Sequence, residues 1–157
     1  MHIREAQFPS DQKAVVAIIR EYAAWLDIDM GFQNFDEEMA HIDSKYRLPS
    51  GSLWVVQNGE NLVGCIGFRH LDDGAAEIKR LYVQPAFRGQ QLGGKLLRTV
   101  IDTTRRLGYQ RLVLDTVPQT AASHGLYQRF GFQQIAPYYN GPTLATHFFG
   151  LSLLPSR

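Results

Sequence analysis

Residues 77–97 read EIKRLYVQPAFRGQQLGGKLL, and the rest of the chain is organised around them. They predict a strand over 78–83, a break at Pro85, a glycine-bearing turn over 88–94 and a helix that begins near Gln91. A strand that feeds such a turn into a helix start leaves backbone N–H groups without intrahelical partners, aimed at whatever lies in front of them. The aligned peptide dipoles add positive potential there, worth roughly 0.3–1 kcal/mol per well-placed negative charge. Arg88 adds a full charge and a planar donor fork, and Gly89, Gly93 and Gly94 carry no Cβ to hold a ligand off the main chain. The stretch therefore reads as a phosphate cradle.

Working outward, the strand is the third of an expected antiparallel meander: 52–57, a turn at Asn58-Gly59, 62–70, a turn at Asp72-Asp73-Gly74, then 75–83. Downstream, a helix over 91–107 leads through Gly108 to an apolar strand over 111–115. A crossover of that kind makes the two flanking strands parallel. A second helix over 120–130 and two last strands, 132–136 and 145–153, close the chain. Upstream lie a short first strand over 2–8, a helix over 11–27 with Ser10 as N-cap, and a helical segment over 35–46. The expected fold is α/β of the α+β type: a mixed, mostly antiparallel twisted sheet of about seven strands, flanked by about four helices, in a single domain over 1–157.

Composition narrows the function classes. With 45% hydrophobic and 20% charged residues the chain reads as an ordinary globular domain. A net charge of +1 gives no electrostatic ground for nucleic acid or an anionic membrane as partner. Cys65 is the only cysteine, so no internal disulfide can form, and a reducing compartment is expected. The N-terminal MHIREAQFPSDQ has no apolar signal core, and no run approaches the ~20 apolar residues of a membrane span. We expect a soluble, cytoplasmic protein. The five histidines show no metal-ligand spacing, and no metal is expected.

The central stretch and its surroundings resemble the GNAT superfamily of acyl-CoA N-acyltransferases. That family's pyrophosphate signature is Gln or Arg, two residues, Gly, one residue, then Gly or Ala. Here it falls on Arg88, Gly89-Gln90, Gln91, Leu92 and Gly93, so Gln91 stands where the family has Gly. Leu126-Tyr127 followed by Gly131-Phe132 matches the LY…GF pattern of the family's C-terminal half, and Pro137-Tyr138-Tyr139 precedes the final strand as in small bacterial members. The resemblance implies acetyl-CoA as co-substrate and a small-molecule primary amine as acceptor, attacking the thioester directly, and it admits a homodimer. It implies cofactor contacts from Leu81, Tyr82, Val83, Arg88, Gly89, Gln90, Gln91, Leu92, Gly93, Gly94 and Tyr127, those of Leu81 and Val83 through the main chain.

Two catalytic candidates follow from the resemblance. Tyr127 occupies the position of the acid that reprotonates the leaving thiolate; the alternative is a core tyrosine. Glu77 lies on the strand where relatives carry a general base; the alternative is a carboxylate paired with Lys79 or Arg80 in solvent. Gln91 is expected at negative φ, already inside the first helical turn. Asp115 ends a parallel-type strand, where α/β folds place ligands, and could meet the amine or merely cap a turn. Cys65 reads as packing, and His124 as a surface residue. Phe32, Phe35, Tyr46, Tyr138 and Tyr139, with Asp27, Asp29 and Glu38, suit a small amine or an amino-acid-like acceptor.

Two rivals belong to other classes. Gly89 to Lys95 fits G-x-x-x-x-G-K, but Leu96 stands where a P-loop nucleotide-binding protein needs Ser or Thr for Mg²⁺. An acyl-CoA-binding sensor without turnover would keep the cradle and dispense with the chemistry.

Overall fold

The computed structural model describes residues 1–27, 34–139, 145 and 147–155. Seven strands form one sheet: β1 (His2–Glu5), β2 (Gly51–Asn58), β3 (Asn61–Asp72), β4 (Ala75–Val83), β5 (Arg111–Thr116), β6 (Gln133–Ile135) and β7 (His147–Ser152), in the order β1-β2-β3-β4-β5-β7-β6. Every neighbouring pair is antiparallel except β4 and β5, which the crossover through α4 (Leu92–Arg106) makes parallel. Three helices, α1 (Gln12–Leu26), α2 (Phe35–Ala40) and α3 (Ile42–Lys45), contribute to one core, in which Val15, Ile18, Ile19 and Ile42 pack with Leu53, Val55 and Cys65. The other core joins α4 and α5 (His124–Arg129) to the opposite face through Leu96, Leu97, Val100 and Tyr127 against Phe68, Ile78, Leu112 and Leu114. β4 sends alternate side chains into both layers, the period-2 consequence of a central strand covered on each face.

Among the described residues there are five helices where about four were expected, because 35–46 breaks at His41, whose φ of −125° and ψ of 33° are not helical. Helix 120–130 also begins later than expected: Pro118–Ser123 winds as a 3₁₀ turn and α5 starts at His124. Ser10 is not the cap of α1. Asp11 holds that place, and its carboxylate is turned instead to Arg4 and to the Gln7 N–H. The first hairpin turns on Gly59-Glu60, one residue later than expected, between the paired Asn58 and Asn61. Among the described residues no helix is long and apolar enough to cross a membrane. Asp29, Gly31 and Phe32 lie outside the described residues.

Two features of β4 create an opening in the sheet. Its ladder with β5 runs Ala75↔Arg111, Ala76↔Leu112 and Glu77↔Val113 and then stops, although both strands continue. On its other edge Cys65 pairs with Tyr82 and Gly67 with Lys79, so Arg80 and Leu81 together face Ile66. That bulge puts Arg80 at φ 60°, a left-handed conformation that costs a non-glycine residue about 1–3 kcal/mol. Surrounding contacts must hold it. The Arg80 guanidinium bonds Glu38 of α2 at 2.9 and 3.0 Å, with both side chains 5% exposed, and its carbonyl accepts the Cys65 S–H at 3.2 Å.

Candidate active site

The unpaired part of β4 opens onto two connected hollows. A groove of about 470 Å³ runs past Leu81, Tyr82, Val83, Arg88, Gly89, Gln91, Leu92, Gly93 and Gly94, with Trp25, Ser123 and Arg129 opposite. A deeper cavity of about 70 Å³ lies between the diverging strands and shares Tyr22, Leu81, Thr120 and Ser123 with the groove. Lys79, Arg80, Asp115 and Tyr127 complete its wall.

The groove is built mainly from backbone. α4 begins after Gln91 with no side-chain cap, and the Lys95 N–H is the first amide to bond back, to the Gln91 carbonyl. The amides of the first turn are left for a ligand or solvent, and the helix dipole favours an anion there. Gln91 corrects the expectation of negative φ. It sits at φ 62°, ψ 18°, in the left-handed region that the family's Gly would adopt without strain. Its amide keeps the geometry of the turn, while its side chain carries a cost of about 1–2 kcal/mol.

The glycines divide into two kinds. Gly89 has φ 84° and open space around a built Cβ, so the turn needs its backbone freedom. Gly93 and Gly94 instead face α5: a Cβ there would meet Leu126 at 3.4 Å or Phe130 at 3.5 Å. They let α4 and α5 approach one another behind the groove. Gln90 is exposed and does not line the groove.

Arg88 lies back over the end of β4. Its Nε donates to the Val83 carbonyl at 2.9 Å, and its guanidinium stands 4.7 Å from the Trp25 ring centre and 5.8 Å from that of Tyr82. One of the main-chain acceptors expected for the cofactor arm is thus already engaged by Arg88. Tyr82 is anchored from α1, donating its hydroxyl to Glu21 at 2.7 Å.

The deeper cavity is built from side chains. Tyr127 is 6% exposed, its ring against Phe132 and Phe149 at 5.8 and 6.0 Å. It lines the cavity, and among the described residues no other group bonds its hydroxyl. Burial pushes its pKa above the ordinary phenol value, so the proton stays on throughout the working range. Tyr22 of α1 is the facing phenol, pushed up to about 12 chiefly by burial.

Glu77, 8% exposed, stands at the last rung of the β4–β5 ladder. It accepts the Tyr138 hydroxyl at 2.6 Å on one oxygen and faces Lys79 Nζ at 3.5 Å with the other. The expected alternative holds in its Lys79 pairing but not in its exposure: the carboxylate is buried, doubly engaged and does not itself line the cavity. Asp115 does line the cavity and accepts the Tyr139 hydroxyl at 2.6 Å. Phe148 lies 5.3 Å from both tyrosine rings and fixes the pair. Burial and then the Glu77 charge drive the Tyr138 pKa upward, leaving it a firm donor.

Glu38 is carried in by α2. Burial alone would raise its carboxyl, but the Arg80 hydrogen bonds and charge outweigh that and hold it below the usual carboxylate range. The Tyr46 hydroxyl donates to the same carboxylate at 3.2 Å. His124 is half-buried rather than on the surface: its Nε2 lies 2.9 Å from Thr116 Oγ1 and its ring 5.0 Å from His147. Burial, then the neighbouring His147, lowers its pKa. Cys65 is fully buried and pushed up to about 12 by burial, which makes it an inert packing thiol. Leu96, the residue that breaks the P-loop pattern, is fully buried in the core. Among the described residues no group of His, Cys, Asp and Glu is arranged to hold a metal ion.

Of the residues expected at the cofactor, Leu81, Tyr82, Val83, Arg88, Gly89, Gln91, Leu92, Gly93 and Gly94 line the groove and Gln90 does not; Tyr22, Trp25 and the Arg80–Glu38 pair were not expected at the site. Nothing in sequence joins Glu38 to Arg80.

The family model described as "Acetyltransferase (GNAT) family" matches residues 19–132. An uncharacterized N-acetyltransferase of Schizosaccharomyces pombe is 34% identical over 142 residues, 89% of this chain and 87% of that protein. N-acetylaspartate synthetase of Mus musculus is 34% identical over 100 residues, 62% of this chain and 33% of that one. An acetyltransferase from Streptococcus agalactiae has a TM-score of 0.79 at 28% identity, covering 95% of this chain and 96% of that one. A putative acetyltransferase from Salmonella typhimurium, solved with its cofactor acetyl-CoA, has a TM-score of 0.74 at 27% identity, with 100% and 96% covered.

Proposed function

Because the chain belongs to the acetyltransferase (GNAT) family, we propose that it moves an acetyl group from acetyl-CoA to the primary amine of a small molecule by direct attack on the thioester. The observation that carries this reading is the junction of the two hollows at Leu81. An uncapped helix start and an arginine border one of them, and Tyr127, whose hydroxyl has no partner among the described residues, lines the other.

In this reading the first-turn amides of α4, with Arg88, Gly89, Gln91, Leu92, Gly93 and Gly94, hold the diphosphate of acetyl-CoA. The free edge of β4 at Leu81, Tyr82 and Val83 takes the arm that carries the thioester. Arg88 releases the Val83 carbonyl when the arm arrives. The acceptor enters the deeper cavity. An unperturbed ammonium of pKa ~10.4 costs roughly 4–5 kcal/mol to deprotonate at pH 7, so a base is useful. Glu77 is that base, and the proton reaches it by way of the Tyr138 hydroxyl, which accepts one proton as it passes its own to the carboxylate, or by a water. The free amine forms the C–N bond, the C–S bond breaks and the thiolate takes the Tyr127 proton, while the second proton on the acylated nitrogen leaves to solvent. Tyr127 then recovers a proton from solvent through the groove.

The acceptor panel follows from the relatives as well as from the cavity. N-acetylaspartate synthetase keeps an amino acid among the candidates by its name.

Thermal unfolding with acetyl-CoA, CoA or Mg-ATP tests the cofactor reading. Both CoA forms should raise the midpoint, a ligand at 100 times its Kd contributing about 2.7 kcal/mol, with no rise from Mg-ATP. Thiol release from acetyl-CoA on addition of amines then separates an enzyme from a sensor. Stabilisation by Mg-ATP alone would end the acyltransfer reading.

A further inference from the structure

The charges around the deeper cavity bear on which amine it takes, provided the acyltransfer reading above holds. Lys79 and Arg80 are the cations in its wall. Both are committed: Lys79 to Glu77 at 3.5 Å, and Arg80 to Glu38 through two bonds at 2.9 and 3.0 Å. Arg69, opposite Glu77 on β3, lies 6.0 Å from the Tyr46 ring centre and does not line the cavity. His124 and His147 do not line it either. Outside the described residues, 28–33, 140–144 and Thr146 contain no Lys, Arg or His and one acid, Asp29, while 156–157 contain Arg157.

Asp115 is the opposite case. It lines the cavity and is half-buried, and the group bonded to it is the neutral Tyr139 hydroxyl, so its charge is not matched by any cation among the described residues. Among the described residues the wall therefore carries one unmatched negative charge and no spare positive one. A positively charged amine entering the cavity meets a partner. A carboxylate beside the reacting nitrogen meets Asp115 and finds no cation, and such a like-charge approach in a partly desolvated site is strongly disfavoured.

We propose that the acceptor is a small amine with no carboxylate beside the reacting nitrogen, an alkylamine or diamine rather than an α-amino acid, and that Asp115 receives its ammonium. Asp115 acts in binding and orientation. Glu77, already engaged by Tyr138 and Lys79, keeps the proton-accepting role.

Matched pairs test this in the unmodified protein: isobutylamine against valine, 2-phenylethylamine against phenylalanine, and aspartate as the dicarboxylate arm, each scored by acceptor-dependent thiol release from acetyl-CoA. The decarboxylated member of each pair should win in kcat/KM by on the order of 100-fold. Asp115→Asn, which keeps an acceptor for the Tyr139 hydroxyl, should raise the amine KM about tenfold and narrow the gap, with acetyl-CoA affinity unchanged. Equal or better use of the amino acids, or a gap that Asp115→Asn leaves intact, overturns the assignment while leaving acyltransfer standing. Protein that binds acetyl-CoA yet releases no thiol with any arm overturns both.

Discussion

Along the groove that follows β4 toward α4, the groups offered to a ligand are mostly main-chain: the strand edge over 81–83, the uncapped first turn of α4, and Gly89 at φ 84°. In the cavity between β4 and β5 they are side chains: Tyr22, Tyr127, Lys79, Arg80 and Asp115, steadied by Glu38, Tyr138 and Tyr139. A main-chain site asks of the sequence only that certain positions keep the right backbone conformation and stay uncrowded. A side-chain site asks for several residues from distant segments to converge. The first can be shared by proteins that act on different acceptors, while the second must be rebuilt for each.

The largest effect expected from breaking the side-chain half is at Glu38. Glu38→Ala leaves the Arg80 guanidinium buried and unpaired beside a strained bulge, and should cost about 3–5 kcal/mol in urea unfolding. The same pair gives a pH signature. The Glu38 carboxyl lies below its ordinary value, so its contribution is complete above the unfolded pKa and is lost as pH falls through the folded one. Unfolding midpoints of the native protein should therefore drop below about pH 4, and the Glu38→Ala variant should show a weaker drop. The comparison is blurred if that variant loses acetyl-CoA affinity while still folded.

Next in size is Tyr127→Phe, which removes one hydroxyl from the cavity and nothing from the groove. Turnover should fall about 100-fold with acetyl-CoA affinity unchanged, read by thiol release and by calorimetric titration. Unchanged turnover would return Tyr127 to the core. Arg88→Ala probes the groove's main side-chain donor. It should weaken acetyl-CoA about tenfold, roughly 1.4 kcal/mol, and leave the acceptor KM as it was. The smallest effect belongs to Gln91→Gly. Relief of a left-handed residue should stabilise the fold by about 0.5–1 kcal/mol in thermal or urea unfolding, with acetyl-CoA binding retained. A destabilised variant would show that the Gln91 side chain contributes contacts that outweigh its strain.

The same division explains what could be read from sequence. The strand, turn and helix of residues 77–97 are local, and so are the short hairpins and the crossover that makes β4 and β5 parallel; each carries its own signal in glycine, proline and apolar spacing. Where local signals were weak, tertiary packing set the result. Residues 35–46 have a thin apolar stripe, and they break at His41 so that Glu38 and Tyr46 can both reach into the sheet. Asp11 displaced Ser10 because Arg4, across the β1–α1 connection, claims its carboxylate at 2.6 Å. Arg80 meets Glu38 across 42 residues and Tyr138 meets Glu77 across 61, separations that no periodicity encodes. Gln91 shows the limit of propensity: a good helix former by composition, it is held left-handed by the turn it belongs to.

The central claim, that cofactor groove and amine cavity meet so that acetyl passes directly from sulfur to nitrogen, is tested by the intact-protein mass and the released thiol measured together. Protein mixed with acetyl-CoA alone should gain no acetyl group and release little thiol. Addition of an acceptor amine should then yield one N-acetylated amine for each thiol. An acetylated protein that accumulates before amine is added, or thiol release that does not depend on the amine, would contradict it.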